Sequence, residues 1–262
     1  MRPRIPALLL LLALAGMALL ASCGRPEVKK TMERAREAAL QGRLQEAIDE
    51  TEHCLRYIPR LAEAQILHGY CLFLNASRES VRSQAIYNLH KATRSFPERY
   101  DAWLFYGWVL LESGDSRNAI PPLQEALRLL PQGSPHRGKI QMLLGKCYLQ
   151  NNLQAQALQI LQPLRIREPY RNAPELYNSL GLLAMMRQSP QIGVAFFQEG
   201  LTRCPRNEVL LQNLAVAYDL YLNDIPRAKR AYIQCLQVKQ QGGQDPEGCQ
   251  RIVDRLRKLS RR

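Results

Sequence analysis

Small residues recur along this chain at fixed separations. Gly107 is followed by Ala119, Ala126 and Pro131, at steps of 12, 7 and 5 residues. Gly145, Ala157, Leu164 and Pro169 repeat those steps with leucine in third place, and Gly181, Gly193, Gly200 and Pro205 repeat them again. From Pro59 to Pro97, Pro131, Pro169 and Pro205 the intervals are 38, 34, 38 and 36 residues. A period of this length marks a supersecondary unit that buries its apolar face only against its neighbours. Two helices approach closely where their crossing residues are small. Larger side chains then fill the space around the crossing: Trp103, Tyr106, Leu110 and Leu123 return at helical spacing around Gly107 and Ala119. Gly114–Asp115–Ser116 reads as the turn between two helices, with Asp115 or Ser116 capping the second. Pro131 closes that helix, because proline cannot continue it.

This spacing resembles the tetratricopeptide repeat, a helix hairpin of about 34 residues. The resemblance covers nearly all of 28–241, parsed as units 28–61, 62–99, 100–133, 138–171, 174–207 and 208–241. It implies an all-α fold, a superhelical solenoid of about six helix pairs. The first unit has Thr31 and Arg34 where large apolar residues are expected, which suits an end unit with one wet face. The second carries about four extra residues, placed in its turn near Asn75 to Ser83, and the last has one extra residue between Ala215 and Ala228. Pro163 falls deep enough in a second helix to bend it. After Gln240 to Gln244, Asp245–Pro246–Glu247 reads as a helix start. Residues 245–260 are expected to form a C-terminal capping helix, with an apolar stripe of Ile252, Val253, Leu256 and Leu259 and a basic remainder.

The first 22 residues read as a secretion signal: basic Arg2 and Arg4, then an apolar run from Ala7 to Leu19. That run is short for a membrane span, which needs about 20 apolar residues. Leu20–Ala21–Ser22–Cys23 resembles the bacterial lipobox. The resemblance implies lipidation at Cys23, a short tether over 23–27, and a chain anchored to the membrane rather than spanning it. Each buried methylene of such acyl chains contributes about 0.8 kcal/mol. Gly24 is compatible with the outer membrane.

The formal charge is +13, and +11 once Arg2 and Arg4 are removed with the signal. For an exported lipoprotein, anionic wall polymer, lipid phosphate or an acidic partner fits this charge better than nucleic acid, and the basic residues are scattered outside the C-terminus. Six cysteines remain besides Cys23. Cys54 and Cys235 sit at small core places, and Cys71 and Cys147 follow repeat glycines, so buried small side chains are expected. A bond between Cys235 and Cys249 is left open by the sequence. His53, His68, His90 and His136 form no metal-ligand spacing, and no phosphate loop, nucleophile elbow or paired catalytic constellation appears. No cofactor, metal site or enzymatic activity is read from the sequence.

What remains is surface. The tetratricopeptide resemblance implies a concave wall lined by the first helix of each unit. On it would lie Ile66, Tyr70 and Phe73; Leu104, Trp108 and Leu111; Lys139, Met142, Lys146 and Leu149; Asn178, Leu182, Met185 and Met186; and Gln212, Val216 and Asp219. Aromatics and methionines on such a wall fit an amphipathic helix or an extended apolar peptide segment of a partner protein. Tyr70, Trp108 and Leu182 stand where relatives that clamp a chaperone carboxylate carry asparagine, which argues against that capture. Lipobox and repeats together resemble the pilotin-type lipoproteins of type IV pilus systems, implying a scaffold in pilus or secretin assembly. Adaptors for outer-membrane barrel assembly or for cell-wall hydrolases share the layout.

Overall fold

The computed structural model describes residues 26–242 and 245–261, and the expected signal segment and Cys23 lie outside them. Among the described residues the regular structure is all helix. In chain order the helices are α1 (Pro26–Leu40), α2 (Leu44–Tyr57), α3 (Ala62–Asn75), α4 (Glu79–Ser95), α5 (Tyr100–Glu112), α6 (Ser116–Leu129), α7 (Arg137–Gln150), α8 (Gln154–Leu161), α9 (Pro174–Met186), α10 (Pro190–Arg203), α11 (Glu208–Val216), α12 (Ile225–Gly242) and α13 (Pro246–Ser260). Short 3-10 turns at Gln162–Ile166 and Tyr170–Asn172 follow α8, and a π turn at Ala217–Tyr221 follows α11. The chain packs as two units that divide between Cys147 and Tyr148, within α7.

In each unit the repeat glycines are points of close approach. A Cβ on Gly107 would lie 2.7 Å from Leu123 Cγ, and one on Gly181 would lie 2.2 Å from the Phe197 ring. Both pairs are 16 residues apart. On Gly69 the Cβ would meet Leu89 Cγ at 2.8 Å, a pair 20 residues apart. The four extra residues of the second repeat explain that difference. The sequence placed them in the turn, but helix α4 begins at Glu79 and runs 17 residues, so most of the insertion lengthens the helix.

The first unit packs α1 to α6 in successive antiparallel pairs. Met32, Tyr70, Phe105 and Leu104 are among its largest fully buried side chains. Each such side chain contributes about 1.5–3 kcal/mol of burial. A buried ionic knot joins its second and third hairpins. Arg99 Nη1 donates to Glu63 Oε1 at 2.7 Å, while its Nε and Nη2 grip Asp101 at 3.0 and 2.6 Å. Glu63 and Asp101 are buried, so removing one partner would strand charge out of water. Asp115 caps α6 by accepting from the Asn118 N–H. Arg137 Nη1 closes the other end of that helix on the carbonyls of Leu127 and Leu130, at 2.9 and 3.0 Å.

The second unit departs twice from continuous hairpins. Pro163 does not bend a long helix: α8 ends after eight residues at Leu161, and Pro163 sits in the 3-10 turn that follows. The single extra residue before Ala228 is absorbed by the π turn, where Leu222 N–H reaches back to Ala217 O at 3.1 Å. One inserted residue widens one turn of helix, which leaves the flanking segments in register. Asp245 caps α13 by accepting from Gly248 N–H at 2.8 Å, with Pro246 in the first turn. Ile252 and Leu259 are buried in the cluster formed with Tyr177, Phe197, Leu214, Tyr218 and Tyr232, and Leu256 packs against it. No described helix is long and apolar enough to cross a membrane.

Candidate binding surface

The first helices that were expected to line an open wall are placed differently in the two units. In the first unit, Ile66, Tyr70 and Phe73 on α3 and Leu104, Trp108 and Leu111 on α5 are all buried. Their expected role as an open groove is corrected by this packing: they form the seam between hairpins. The Tyr70 ring meets Phe105 edge-on at 4.7 Å and Trp108 at 5.2 Å, and Phe73 meets Trp108 at 5.7 Å. Large rings on consecutive first helices reach one another and exclude water, adding about 0.5–1.5 kcal/mol per pair beyond burial. The Tyr70 hydroxyl is buried without a hydrogen-bond partner among the described residues, and burial raises its pKa above the usual phenol range.

On α7, Met142 and Leu149 are half-buried and Lys146 is exposed. Lys146 Nζ lies 3.4 Å from Glu112 Oε1, so this cation already has an anionic neighbour. Lys139 is half-buried.

In the second unit part of the expected face stays open. Leu182 and Met186, four residues apart on α9, are each 39% exposed. Met185 turns the other way and packs against the core, its sulfur 2.7 Å from where a Cβ on Gly193 would lie. Asn178 Oδ1 accepts from Asn213 Nδ2 at 2.5 Å, which ties α9 to α11 along this face. Gln212 is exposed, while Val216 packs against the core. Asp219 is fully buried rather than facing outward. Arg255 Nε and Nη2 bind its two oxygens at 2.5 and 2.6 Å, and Tyr232 OH donates to it at 3.1 Å. Arg255, read from sequence as part of a basic remainder, is thereby tied to a buried carboxylate while staying half-buried itself. Burial, followed by the charge and hydrogen bond of Asp219, pushes the Tyr232 phenol up to about 12.

The π turn also delivers two side chains the sequence reading left out. Leu220 and Tyr221 are exposed at its end. One repeat period after Met186, they occupy the corresponding place in the next hairpin. The only sequence signal was the 13-residue step from Ala215 to Ala228 where 12 is the rule. The exposed set on α9 and the π turn is therefore Leu182, Met186, Leu220 and Tyr221, with Asn178 and Asn213 bonded between α9 and α11. It is apolar, with amide edges and no nucleophile–base pair, and suits side-chain docking.

Burial raises the thiols of Cys147 and Cys235 to about 11 and that of Cys71 to about 12, so these groups stay protonated and unreactive near neutrality. Cys235 and Cys249 are both free thiols in the structure.

Residues 110–174 match one family model described as tetratricopeptide repeat, and residues 82–134 match a second with the same description. No curated protein matches the sequence significantly. Among solved structures, PilW, described as a widely conserved type IV pilus biogenesis factor, superposes with a TM-score of 0.72 at 15% identity, over 87% of this chain and 99% of that one. PilF of Pseudomonas aeruginosa superposes with a TM-score of 0.65 at 19% identity, over 80% of this chain and 91% of that one. YrrB, described as a tetratricopeptide protein with an unusual peptide-binding site, gives a TM-score of 0.57 at 16% identity, over 70% of this chain and 89% of that one. The chain thus carries tetratricopeptide repeats, and its fold resembles those of pilus-related tetratricopeptide-repeat proteins.

Proposed function

We propose that this chain is a non-catalytic docking scaffold of a bacterial cell envelope, acting in type IV pilus or secretin assembly. Its partner is a protein that lays an amphipathic helix or an extended apolar segment on the second unit. The observation that carries the reading is the exposure of Leu182 and Met186 on α9 and of Leu220 and Tyr221 at the end of the π turn that follows α11. Methionine reshapes itself to a guest, and aromatic side chains are enriched among the residues that carry binding energy. The likeness to PilW over most of both chains supports the envelope setting. Lipidation at Cys23 would hold the scaffold at the outer membrane, facing the periplasm.

A strain lacking the chain and complemented with variants tests this. The expected result is loss of secretin multimers from the outer-membrane fraction in the deletion, restored by the native chain. Neither the Leu182→Asp, Met186→Asp double variant nor Cys23→Ser should restore them fully, although both accumulate folded. Multimers that persist without the chain would remove the assembly role. Full rescue by the double variant would remove the binding face.

A further inference from the structure

A second surface lies in the same unit, away from the face just described. Helix α8 stops at eight residues, whereas α6 and α10 each run 14. Where the missing turns would be, the chain follows the 3-10 path Gln162–Ile166 and leaves a pocket of about 680 Å³ against α10. That volume falls within the usual range of ligand and peptide clefts. Its apolar lining comes from Leu158, Pro163 and Ile166, and its polar lining includes Arg165, Glu199 and Arg203. Ile166 is 90% exposed, the most exposed of the large apolar side chains among the described residues, and it stands between two arginines, Arg165 and Arg167.

The charges do not balance. Arg165 Nη2 donates to Glu199 Oε2 at 2.7 Å, and Arg203 Nη2 lies 3.4 Å from Glu199 Oε1, so two guanidinium groups share one carboxylate. Both lie over rings, Arg165 Cζ 5.2 Å from the Phe196 centroid and Arg203 Cζ 5.0 Å from that of Tyr177. Arg165 Nε is buried and has no acceptor among the described residues. The site therefore presents one more guanidinium than carboxylate beside an exposed aliphatic anchor, with Arg203 Nη1 also held by the Glu199 carbonyl at 3.1 Å. Planar guanidinium forks of this kind match carboxylates.

We propose that this pocket docks an acidic peptide segment of a partner protein, with an apolar side chain against Leu158, Pro163 and Ile166 and a carboxylate shared by Arg165 and Arg203. The proposal rests on the scaffold reading only in taking a protein as the guest. The surface it uses is separate from Leu182 and Met186, so the two fail independently.

The test is fluorescence polarisation of the full chain with a labelled hexapeptide of alternating leucine and glutamate, and with its leucine–glutamine counterpart. The acidic peptide is expected to bind at least about tenfold more tightly than the neutral one, and to weaken as salt rises from about 0.05 to 0.5 M. Ile166→Asp and Arg165→Gln should each weaken it by about tenfold or more. Ile166 is so exposed that its substitution leaves the fold intact, which circular dichroism verifies. Tyr87→Asp, at an exposed side chain of the first unit, should bind like the native chain. Equal affinity for both peptides, no binding of either, or indifference to both pocket variants would overturn the proposal. So would equal loss through Tyr87→Asp, or an Ile166-dependent self-association without peptide binding. Ile166-dependent binding to phosphatidylglycerol vesicles by a chain that ignores the peptide would assign the pocket to lipid and overturn it equally.

Discussion

The first and second units are built on the same glycine and alanine spacing, yet they treat their first-helix faces in opposite ways. In the first, Tyr70, Phe73, Phe105 and Trp108 are long enough to reach the next hairpin, and the face closes on itself. In the second, Leu182 occupies the place of Tyr70 and Trp108 but remains partly open, Met186 is exposed one turn further on, and the π turn adds Leu220 and Tyr221. The ionic balance differs too. Residues 26–147 hold 17 Lys and Arg against 14 Asp and Glu, while residues 148–262 hold 16 against 9. A repeat spacing thus specifies how helices cross. The size and charge of the side chains between crossings specify whether the result is interior or binding surface.

The comparison breaks most visibly at Trp108. Trp108→Ala should cost about 3–5 kcal/mol in urea unfolding, because it empties a packed seam. Met186→Ala on the open face should cost less than about 1 kcal/mol. Similar losses for the two would erase the distinction between closed and open faces.

Next in size is the anchor of the C-terminal helix. Asp219→Ala leaves Arg255 and Tyr232 without their shared acceptor and should destabilise by about 3 kcal/mol. Limited proteolysis should then nick α13 well before the first unit. A native cleavage pattern would show that the π turn does not depend on this pair.

A smaller effect of opposite sign is expected at Tyr70. Its buried hydroxyl has no partner among the described residues, so Tyr70→Phe should stabilise the chain by about 1 kcal/mol. A clear loss of stability would mean that the hydroxyl is satisfied in solution.

The smallest effect concerns pH. Burial lowers the pKa of His68, whose Nδ1 lies 3.1 Å from Thr51 Oγ1. The unfolded chain therefore takes up a proton near the ordinary value of 6.5 before the folded chain does. The contribution of neutral His68 is full above that pH and is lost as pH falls through the lowered folded value. Melting temperature should decline more gently on acidification in His68→Gln than in the native chain. Identical slopes would place His68 in a solvent-like setting.

Much of the fold was legible because close approach leaves a short-range mark. A Cβ at Gly107 or Gly181 would collide with a side chain 16 residues on, and the sequence keeps that distance. Caps were legible for the same reason: Asp115 and Asp245 act within three residues of themselves. The binding face was legible only in part. Nothing local distinguishes Trp108, which is buried, from Leu182, which is not, since the difference lies in what the neighbouring hairpin brings against each. The role of Asp219 was hidden because its partner Arg255 is 36 residues away. The pocket at Ile166 was hidden because Pro163 announced a disturbed helix without showing that the helix ends and leaves space.

The sequence alone determined that the chain makes paired helices and where those pairs cross, since both depend on residue size and spacing within about 20 positions. Only the tertiary structure decided which apolar side chains are left to solvent and which charges go unbalanced. Burial is a property shared with residues that arrive from other hairpins, and no single stretch of chain contains it.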